Sequence, residues 1–128
     1  MDEKKYFVCE VCGNVVEKIH DSGNELMCCM RTMKELVPGE TDGSADHHVP
    51  VCKFKDHNVL KVKVGEYPHP MEEKHHIQWI EVVTNKGITR KFLKPGDEPM
   101  ACFCLHENEK VLEVYVYCNI HKLWKVTL

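Results

Sequence analysis

Two motifs contain the residues of this chain that are best suited to chemistry. One spans residues 68–75, with the sequence PHPMEEKH, and the other spans residues 118–121, with the sequence CNIH. His69 and His75 are six residues apart, so they cannot share a helix face, where neighbours are three or four apart. The two prolines also favour a loop. The C-x-x-H pair is tighter, because both side chains can reach one metal from a single turn, and thiolate with imidazole suits iron, zinc or copper.

A third motif, HVPV at residues 48–51, is preceded by a second histidine and offers one more imidazole. With either His48 or His47 included, one site could hold four imidazoles and one thiolate. Five such donors are one more than a closed tetrahedral zinc site takes. They suit a square-pyramidal metal whose sixth position is free, which is typical of a reaction centre.

The pattern of one strand supports a metal site. In residues 110–118, alternation predicts a strand whose inward face carries Leu112, Val114, Val116 and Cys118. Taken alone, Cys118 and His121 are equally consistent with a buried packing cysteine and a surface histidine. Their joint presence with His69 and His75 favours the metal site.

The remaining histidines and thiols have no such constellation around them. We expect surface positions for His20, His57, His76 and His106. We expect core positions for three thiols in strand-like segments, which are Cys52, Cys102 and Cys104. No Ser/His/Asp order, phosphate loop or pair of carboxylates stands out, so no other catalytic chemistry is predicted.

A second metal site is predicted in residues 1–37. Its ligands would be four thiolates in a C-x-x-C…C-C arrangement, namely Cys9, Cys12, Cys28 and Cys29. A unit this small cannot bury enough apolar surface to fold alone, and a metal is the usual remedy. Zinc ribbons normally repeat C-x-x-C twice, so the adjacent pair predicts a less regular tetrahedron. The four thiolates do not distinguish iron from a structural zinc.

Composition places the chain among soluble proteins of one or two domains. Its 128 residues are 43% hydrophobic and 29% charged, which is enough for a core. The net charge of −3 gives no sign of nucleic-acid binding. No apolar run reaches the roughly 18 residues that a membrane helix needs, and no signal-peptide h-region is present, so we expect a cytoplasmic protein. In a reducing cytosol, eight cysteines indicate metal rather than disulfides.

Turn-forming residues divide the chain in two. Residues 38–44, with the sequence PGETDGS, have the composition of a linker. We therefore expect a metal-binding domain at residues 1–37 and a second domain at residues 38–128. The second domain has short alternating segments and no convincing helix, which predicts an all-β sandwich. Its expected strands lie near residues 60–64, 77–84, 88–93, 100–105, 110–118 and 123–127.

These motifs together resemble the desulfoferrodoxin family of two-iron superoxide reductases. The four cysteines resemble its desulforedoxin-type iron site, and the HVPV, PHPMEEKH and CNIH motifs resemble its catalytic site. The resemblance extends from Tyr6 to Lys125. It implies an all-β protein with a small rubredoxin- or desulforedoxin-like metal domain followed by an immunoglobulin-like β-sandwich, usually as a homodimer.

The resemblance also implies a role for each site residue. The four cysteines would hold one iron. A ferrous iron in the second domain would have Cys118 as its axial ligand and four equatorial ligands, which are His48, His69, His75 and His121. The implied reaction is the one-electron reduction of superoxide to hydrogen peroxide, with a rubredoxin as the external electron donor.

One segment departs from the family pattern. The family usually has Glu-Lys before the first histidine ligand, whereas this chain has Asp46 and His47. In the family the glutamate can bind the oxidised iron, and the lysine is associated with attracting superoxide. Asp46 is one methylene shorter, and His47 is cationic only when protonated. Lys74 and Lys122, which adjoin ligand histidines, offer alternative positive charge.

Two other functions are consistent with the same residues. A two-iron electron carrier would have a six-coordinate site without catalysis, and Asp46 is the nearby candidate for its sixth ligand. A zinc-stabilised β-domain would instead bind a partner. Colour separates these classes, because iron–thiolate centres absorb visible light whereas the full d-shell of zinc leaves a zinc protein colourless.

Overall fold

The computed structural model describes residues 4–128. The chain divides into two compact units, Met1–Val37 and Pro38–Leu128. Regular structure in the described residues is almost entirely β, with a single short helix. No described helix has the length and apolar character that crossing a membrane requires.

The first unit is built from very short strands. Its described elements are β1 (Tyr6–Val8), β2 (Val15–Glu17), β3 (Met27–Cys28), β4 (Arg31–Thr32) and β5 (Lys34–Glu35). Strands β2, β1 and β5 form an antiparallel sheet in that order, and β3 pairs with β4. Gly13 donates its N–H to the Cys9 carbonyl at 2.8 Å and so closes the turn after β1. Strands of two or three residues form few ladder hydrogen bonds, so the turns that carry the cysteines need further support.

The second unit contains one short helix and longer strands. Its elements are α1 (Ala45–His48), β6 (Pro50–Asp56), β7 (Val59–Val64), β8 (Ile77–Thr84), β9 (Ile88–Phe92), β10 (Met100–Cys104), β11 (Val111–Cys118) and β12 (Lys122–Thr127). The strands form two antiparallel sheets, in the orders β10-β7-β6 and β12-β11-β8-β9.

One apolar core lies in the second unit. Its buried members are Leu60, Val62, Val64, Ile77, Ile80, Val82, Phe103, Leu105, Val111, Val114, Val116, Cys118 and Trp124. Burying one large aliphatic or aromatic side chain contributes roughly 1.5–3 kcal/mol, so this core is the main source of stability for the unit. The predicted β-sandwich is confirmed.

Strand β11 shows how alternation positions the thiol. Val114, Val116 and Cys118 are all fully buried and face the core, as expected. A register shift between Val111 and Glu113 changes the phase of the strand. Val111 therefore joins the core, whereas Leu112 does not. The inward position predicted for Cys118 is confirmed, and the one predicted for Leu112 is wrong.

The expectation of three core thiols is wrong for two of them. Cys102 and Cys104 flank Phe103, and because Phe103 faces the core both thiols lie on the outer face of β10. Cys104 is exposed and Cys102 is half-buried, whereas Cys52 packs against the core from β6. Strand β6 itself was missed, since its few apolar residues, which alternate with lysines, form too short a signal.

Gly65 allows the loop after β7 to begin against the C-terminal end of the helix. Its φ is +83°, and an added Cβ would lie 2.5 Å from the Tyr67 carbonyl oxygen and 2.7 Å from the His47 carbonyl carbon. Its N–H donates to the Val49 carbonyl at 3.2 Å. Both the left-handed conformation and the close approach require glycine.

We expect Gly65→Ala to lower the unfolding free energy of the second unit by more than about 1 kcal/mol, because a side chain there adds backbone strain and a steric clash. Gly96→Ala is the matched control, since its φ is +92° but no atom lies within 4 Å of the added Cβ. Urea unfolding of the metal-free proteins measures both losses. Equal losses in the two variants would show that the close approach at Gly65 has no energetic cost.

Candidate metal centres

Four histidines and one cysteine converge in the second unit from three separate segments. His48 is the last residue of α1, and His69 and His75 lie in the loop between β7 and β8. Cys118 ends β11, and His121 lies in the tight turn before β12. The sandwich is what brings these segments together, because no two of the three are adjacent in sequence.

The four imidazoles form a square. Neighbouring ring centroids are 4.6 Å apart for His48 and His69 and 4.8 Å apart for His48 and His121. They are 4.6 Å apart for His69 and His75 and 5.1 Å apart for His75 and His121. The diagonal from His48 to His75 is longer, at 6.4 Å. Adjacent rings are steeply inclined, by 69° to 83°, as separate ligands around one centre would be.

Backbone carbonyls fix which nitrogens face the centre of the square. The Nδ1 of His48 donates to the Ser44 carbonyl at 2.7 Å, and the Nδ1 of His69 donates to the Pro70 carbonyl at 2.6 Å. A carbonyl can only accept, so each of these rings carries its proton on Nδ1 and presents an Nε2 lone pair. This is the arrangement that orients histidine ligands in metal sites.

The inward nitrogens have the spacing that a metal requires. His48 Nε2 lies 3.1 Å from His69 Nε2 and 3.1 Å from His121 Nδ1. Metal–imidazole bonds of about 2.1 Å would place neighbouring ligand nitrogens about 3.0 Å apart. In addition, the buried Nε2 of His75 has no hydrogen-bond partner among the described residues. A cation at the centre would satisfy all of these lone pairs.

The Cys118 thiol lies beside the imidazoles and is fully buried. Its Sγ accepts the His121 backbone N–H at 3.3 Å and is 4.0 Å from His121 Nδ1. Burial raises the pKa of this thiol, and the backbone N–H groups of His121 and Ile120 act in the opposite direction. A bound cation would favour the thiolate, which is the form that binds metal.

Burial also favours the neutral form of three of the imidazoles, those of His48, His69 and His75. It lowers the pKa of His69 to about 4, with a smaller opposing effect of the Pro70 carbonyl. The pKa values of His48 and His75 are lowered for the same reason, and the neighbouring rings add to the effect. Neutral rings have free lone pairs, so the site is ready for a metal at neutral pH.

The ligand atoms of four of the five residues lie within 4.8 Å of one another, and these residues are His48, His75, Cys118 and His121. His69 is outside that set and is joined to it through the 3.1 Å contact between its Nε2 and that of His48. The residues therefore fit a metal, with His69 at one corner of the square.

Asp46 and His47 lie beside this cluster and not in it. Asp46 is exposed, and its backbone carbonyl accepts the Tyr67 N–H at 3.1 Å. His47 is half-buried, with its ring centroid 5.8 Å from that of Tyr67 and its Nδ1 3.4 Å from Ser44 Oγ. Of the two histidines left open by the sequence, His48 is the one whose ring faces His69 and His121.

Two supporting residues were missed by the sequence reasoning. Trp124 stacks on His48, with centroids 4.7 Å apart, and donates Nε1–H to the His121 carbonyl at 3.0 Å. Asn119 accepts the His76 N–H at 2.9 Å and donates to the Lys74 carbonyl at 2.9 Å. Asn119 thereby ties the C-x-x-H turn to the loop that carries His75. Its position inside the CNIH motif was the one signal that could have indicated this role.

The four cysteines of the first unit form a second cluster, with all their sulfurs within 4.8 Å of one another. Cys12 Sγ and Cys28 Sγ are 3.7 Å apart, and Cys28 Sγ and Cys29 Sγ are 3.9 Å apart. Four thiolates bound at about 2.3 Å would be about 3.8 Å apart. The adjacent pair is accommodated by a left-handed turn, with φ of 52° at Cys29 and 63° at Met30.

The four thiols differ in acidity before a metal binds. The Cys12 backbone N–H, 3.5 Å from Cys9 Sγ, is the main cause that lowers the pKa of Cys9 to about 6. Crowding by Cys12 and the other neighbouring sulfurs raises the pKa of Cys29 to about 12. Only a cation can therefore hold all four as thiolates at neutral pH.

The fold and the two clusters define a two-centre, non-haem metalloprotein, with a small four-thiolate unit and a β-sandwich that carries a histidine–thiolate site. Its two parts match family descriptions separately. Residues 2–36 match the family described as "Desulfoferrodoxin, N-terminal domain", and residues 40–127 match "Desulfoferrodoxin". The chain belongs to the desulfoferrodoxin family.

Relatives match along almost the whole chain. The desulfoferrodoxin homolog of Methanothermobacter thermautotrophicus is 46% identical over 96% of this chain and 98% of its own length. The desulfoferrodoxin of Nitratidesulfovibrio vulgaris is 45% identical over 97% of this chain and 96% of its own. Among solved structures, the superoxide reductase from Treponema pallidum is 29% identical and matches with a TM-score of 0.81, over 98% of this chain and all of that one.

Family and clusters together give two iron centres, one in each unit. Iron fits both donor sets. Thiolates and imidazoles both bind it, and the square of imidazoles suits a metal with more than four ligands better than a tetrahedral zinc.

We expect the unfolding free energy of the metal-free second unit to fall as the pH falls from about 6.5 to about 4. The pKa of His69 is about 4 in the folded protein and about 6.5 when unperturbed. Between these values the unfolded chain binds more protons than the folded chain, so protons favour unfolding. One such histidine contributes up to about 1.4 kcal/mol per pH unit.

Urea unfolding at a series of pH values measures this slope. His69→Gln should make it shallower, whereas His57→Gln, at an exposed position in the turn between β6 and β7, should leave it unchanged. A slope as steep in His69→Gln as in the wild type would contradict the role given to His69 burial.

Proposed function

We propose that the protein is a superoxide reductase of the desulfoferrodoxin type. It transfers one electron to superoxide, which takes up two protons and leaves as hydrogen peroxide, and an external donor replaces the electron. The observation that best supports this function is the square of inward-facing imidazole nitrogens beside the buried thiol of Cys118. The superoxide reductase from Treponema pallidum, which matches this chain end to end, supports the same substrate.

Each ligand has a proposed role in the sandwich. Five side chains would hold the iron: the imidazoles of His48, His69, His75 and His121, and the thiolate of Cys118. Ferrous iron in this site would supply the single electron for superoxide. The carbonyls of Ser44 and Pro70 hold two of the rings in orientation, which limits the reorganisation that accompanies electron transfer.

The Cys118 thiolate would donate electron density to a bound iron, as thiolates do in haem enzymes. Its surroundings adjust that donation. Backbone N–H groups of His121 and Ile120 favour the thiolate, and the positive charge of Lys122 does the same. The sulfur is held among these donors and is fully buried, so it would be available to bind iron as a thiolate.

Asp46 and His47 are proposed to act on the substrate side of the reaction. Both precede His48 in α1 and lie outside the metal-binding cluster. A protonated His47 would attract superoxide, with Lys74 and Lys122 as further sources of positive charge near the site. Attraction of a small anion by local positive charge raises the rate at low substrate concentration, even in a chain whose net charge is −3.

The electron-carrier alternative has less support. It requires a sixth protein ligand, and the Asp46 carboxylate is exposed and absent from the metal-binding cluster.

We propose a rubredoxin-type protein as the electron donor and a homodimer as the assembly. Eight free cysteines support a reducing, cytoplasmic location.

The direct test is pulse radiolysis of the reduced, iron-loaded protein, with the iron spectrum followed after a pulse of superoxide. We expect Cys118→Ser to keep some iron through its histidines and to lose most of the reductase activity, by about tenfold or more, because serine is a poor ligand for ferrous iron and donates little charge. Cys104→Ser is the matched control, since its thiol is exposed and outside both clusters. A fully active Cys118→Ser protein would contradict the role proposed for the Cys118 thiolate.

The first unit is proposed to bind its iron independently of the reaction. We expect Cys28→Ser to abolish the visible spectrum of the four-thiolate centre and to leave the rate of superoxide reduction within about twofold of the wild type, because the imidazole site lies in the other unit. Iron content and radiolysis rates measure the two effects. Loss of superoxide reduction in a folded Cys28→Ser protein would mean that the first centre is needed for turnover.

A further inference from the structure

The segment at residues 38–44, which has the composition of a linker, is packed against the imidazole site. We call it the strap. Gly39 donates its N–H to the Leu123 carbonyl at 2.9 Å, and Thr41 donates its hydroxyl to the His121 carbonyl at 2.7 Å. At its other end, the Ser44 carbonyl accepts the Nδ1–H of His48 at 2.7 Å. The strap thus touches the backbone or ring of two proposed ligands.

The His121 carbonyl is held by two side chains. Thr41 Oγ1 approaches at 2.7 Å, and Trp124 Nε1 approaches at 3.0 Å. A carbonyl oxygen has two lone pairs, so both are occupied. The next residue, Lys122, has a φ of 64°, and the peptide between them is therefore fixed in a sharp turn with its oxygen anchored.

Gly43 closes the strap over the rings. An added Cβ would lie 2.7 Å from His121 Cγ, 2.8 Å from His121 Cβ and 3.0 Å from His48 Cε1. The φ of Gly43 is outside the left-handed region, so this position needs glycine for space and not for conformation. The backbone of Gly43 accordingly packs directly against the His121 ring.

His121 needs such support more than the other ligands do. It presents Nδ1 to the centre, whereas the rings of His48 and His69 present Nε2 and are clamped through Nδ1. Nδ1 is bonded to the ring carbon that joins Cβ, so a small backbone shift moves it directly. Among residues 4–128, no group forms a hydrogen bond with the second ring nitrogen of His121, Nε2. Its position must therefore be set from the backbone.

We propose that Thr41 and Gly43 are positioning residues that fix His121 Nδ1 in the metal site, with Thr41 acting through the His121 carbonyl and Gly43 through the ring. The strap is then a part of the iron site and not a passive connection. This inference rests on the proposed function only in taking His121 as an iron ligand.

The test compares strap variants of the full-length, iron-loaded protein. Thr41→Val keeps the shape of the side chain and removes the hydroxyl, Thr41→Ser restores the hydroxyl, and Asp42→Ala changes an exposed strap residue as the control. The rate at which a ferrous chelator removes iron from the imidazole site is followed by its spectrum. The four-thiolate centre of the same molecule serves as the internal reference.

We expect Thr41→Val to speed iron release from the imidazole site by about 10- to 100-fold, the usual effect of removing a residue that orients a ligand, and to shift the midpoint potential of that iron. Thr41→Ser should return both values to within about threefold of the wild type, and Asp42→Ala should leave them unchanged. Gly43→Ala, if it folds, should change the visible spectrum of the imidazole site without changing that of the thiolate centre.

The proposal would be overturned if Thr41→Val released iron at the wild-type rate and kept the wild-type midpoint potential. It would also be overturned if Thr41→Val and Asp42→Ala changed these two values equally. A merely structural role of Thr41 would lower the unfolding temperature of the metal-free protein and leave the iron potential unmoved. Failure of the wild type to reduce superoxide while it holds both irons would overturn the proposed function and leave the strap proposal standing.

Discussion

Repulsion between converging lone pairs is the constraint on which the site in the second unit depends. His48 Nε2 lies 3.1 Å from His69 Nε2, and the Ser44 and Pro70 carbonyls hold the protons of both rings on Nδ1, so that two lone pairs face each other. The folded chain tolerates this arrangement because the surrounding core and loops fix the rings. A cation between the two nitrogens would turn this repulsion into attraction, so folding organises much of the site before a metal binds.

The two centres reach a thiolate state by different physical means. In the first unit Cys12 and Cys29 are exposed and Cys9 is buried, and backbone N–H groups favour the thiolate of Cys9. In the second unit a single sulfur, Cys118, is fully buried and is stabilised by backbone N–H groups and a nearby lysine. The first arrangement suits a metal that holds a small fold together. The second suits a metal whose electronic properties are controlled by its surroundings.

The sequence was sufficient to predict the sandwich, because strand alternation is carried by residue types. Motif spacing grouped His69, His75, Cys118 and His121, but it left the choice between His47 and His48 open. Cys118 could be placed inward from the alternation of its own strand. The bulge that removes Leu112 from the core could not be foreseen, since it depends on pairing with β8. The strap could not be distinguished from a linker, because a segment rich in proline, glycine and aspartate can be either free or packed against the protein. The hydrogen bonds from the rings to backbone carbonyls could not be predicted either, because every residue has a backbone carbonyl and its identity does not show which one is used.

The separation of ligands along the chain has a consequence for biosynthesis. Cys9 and Cys28 are 19 residues apart, whereas His48 and His121 are 73 apart. Long-range contacts form late, since chain entropy opposes closing large loops, and the N-terminal part of a chain emerges first. The thiolate unit can therefore take its iron while the ribosome is still making the sandwich. The imidazole centre can load only after β11 and β12 have been released and paired, so the two irons enter one molecule at different stages of its synthesis.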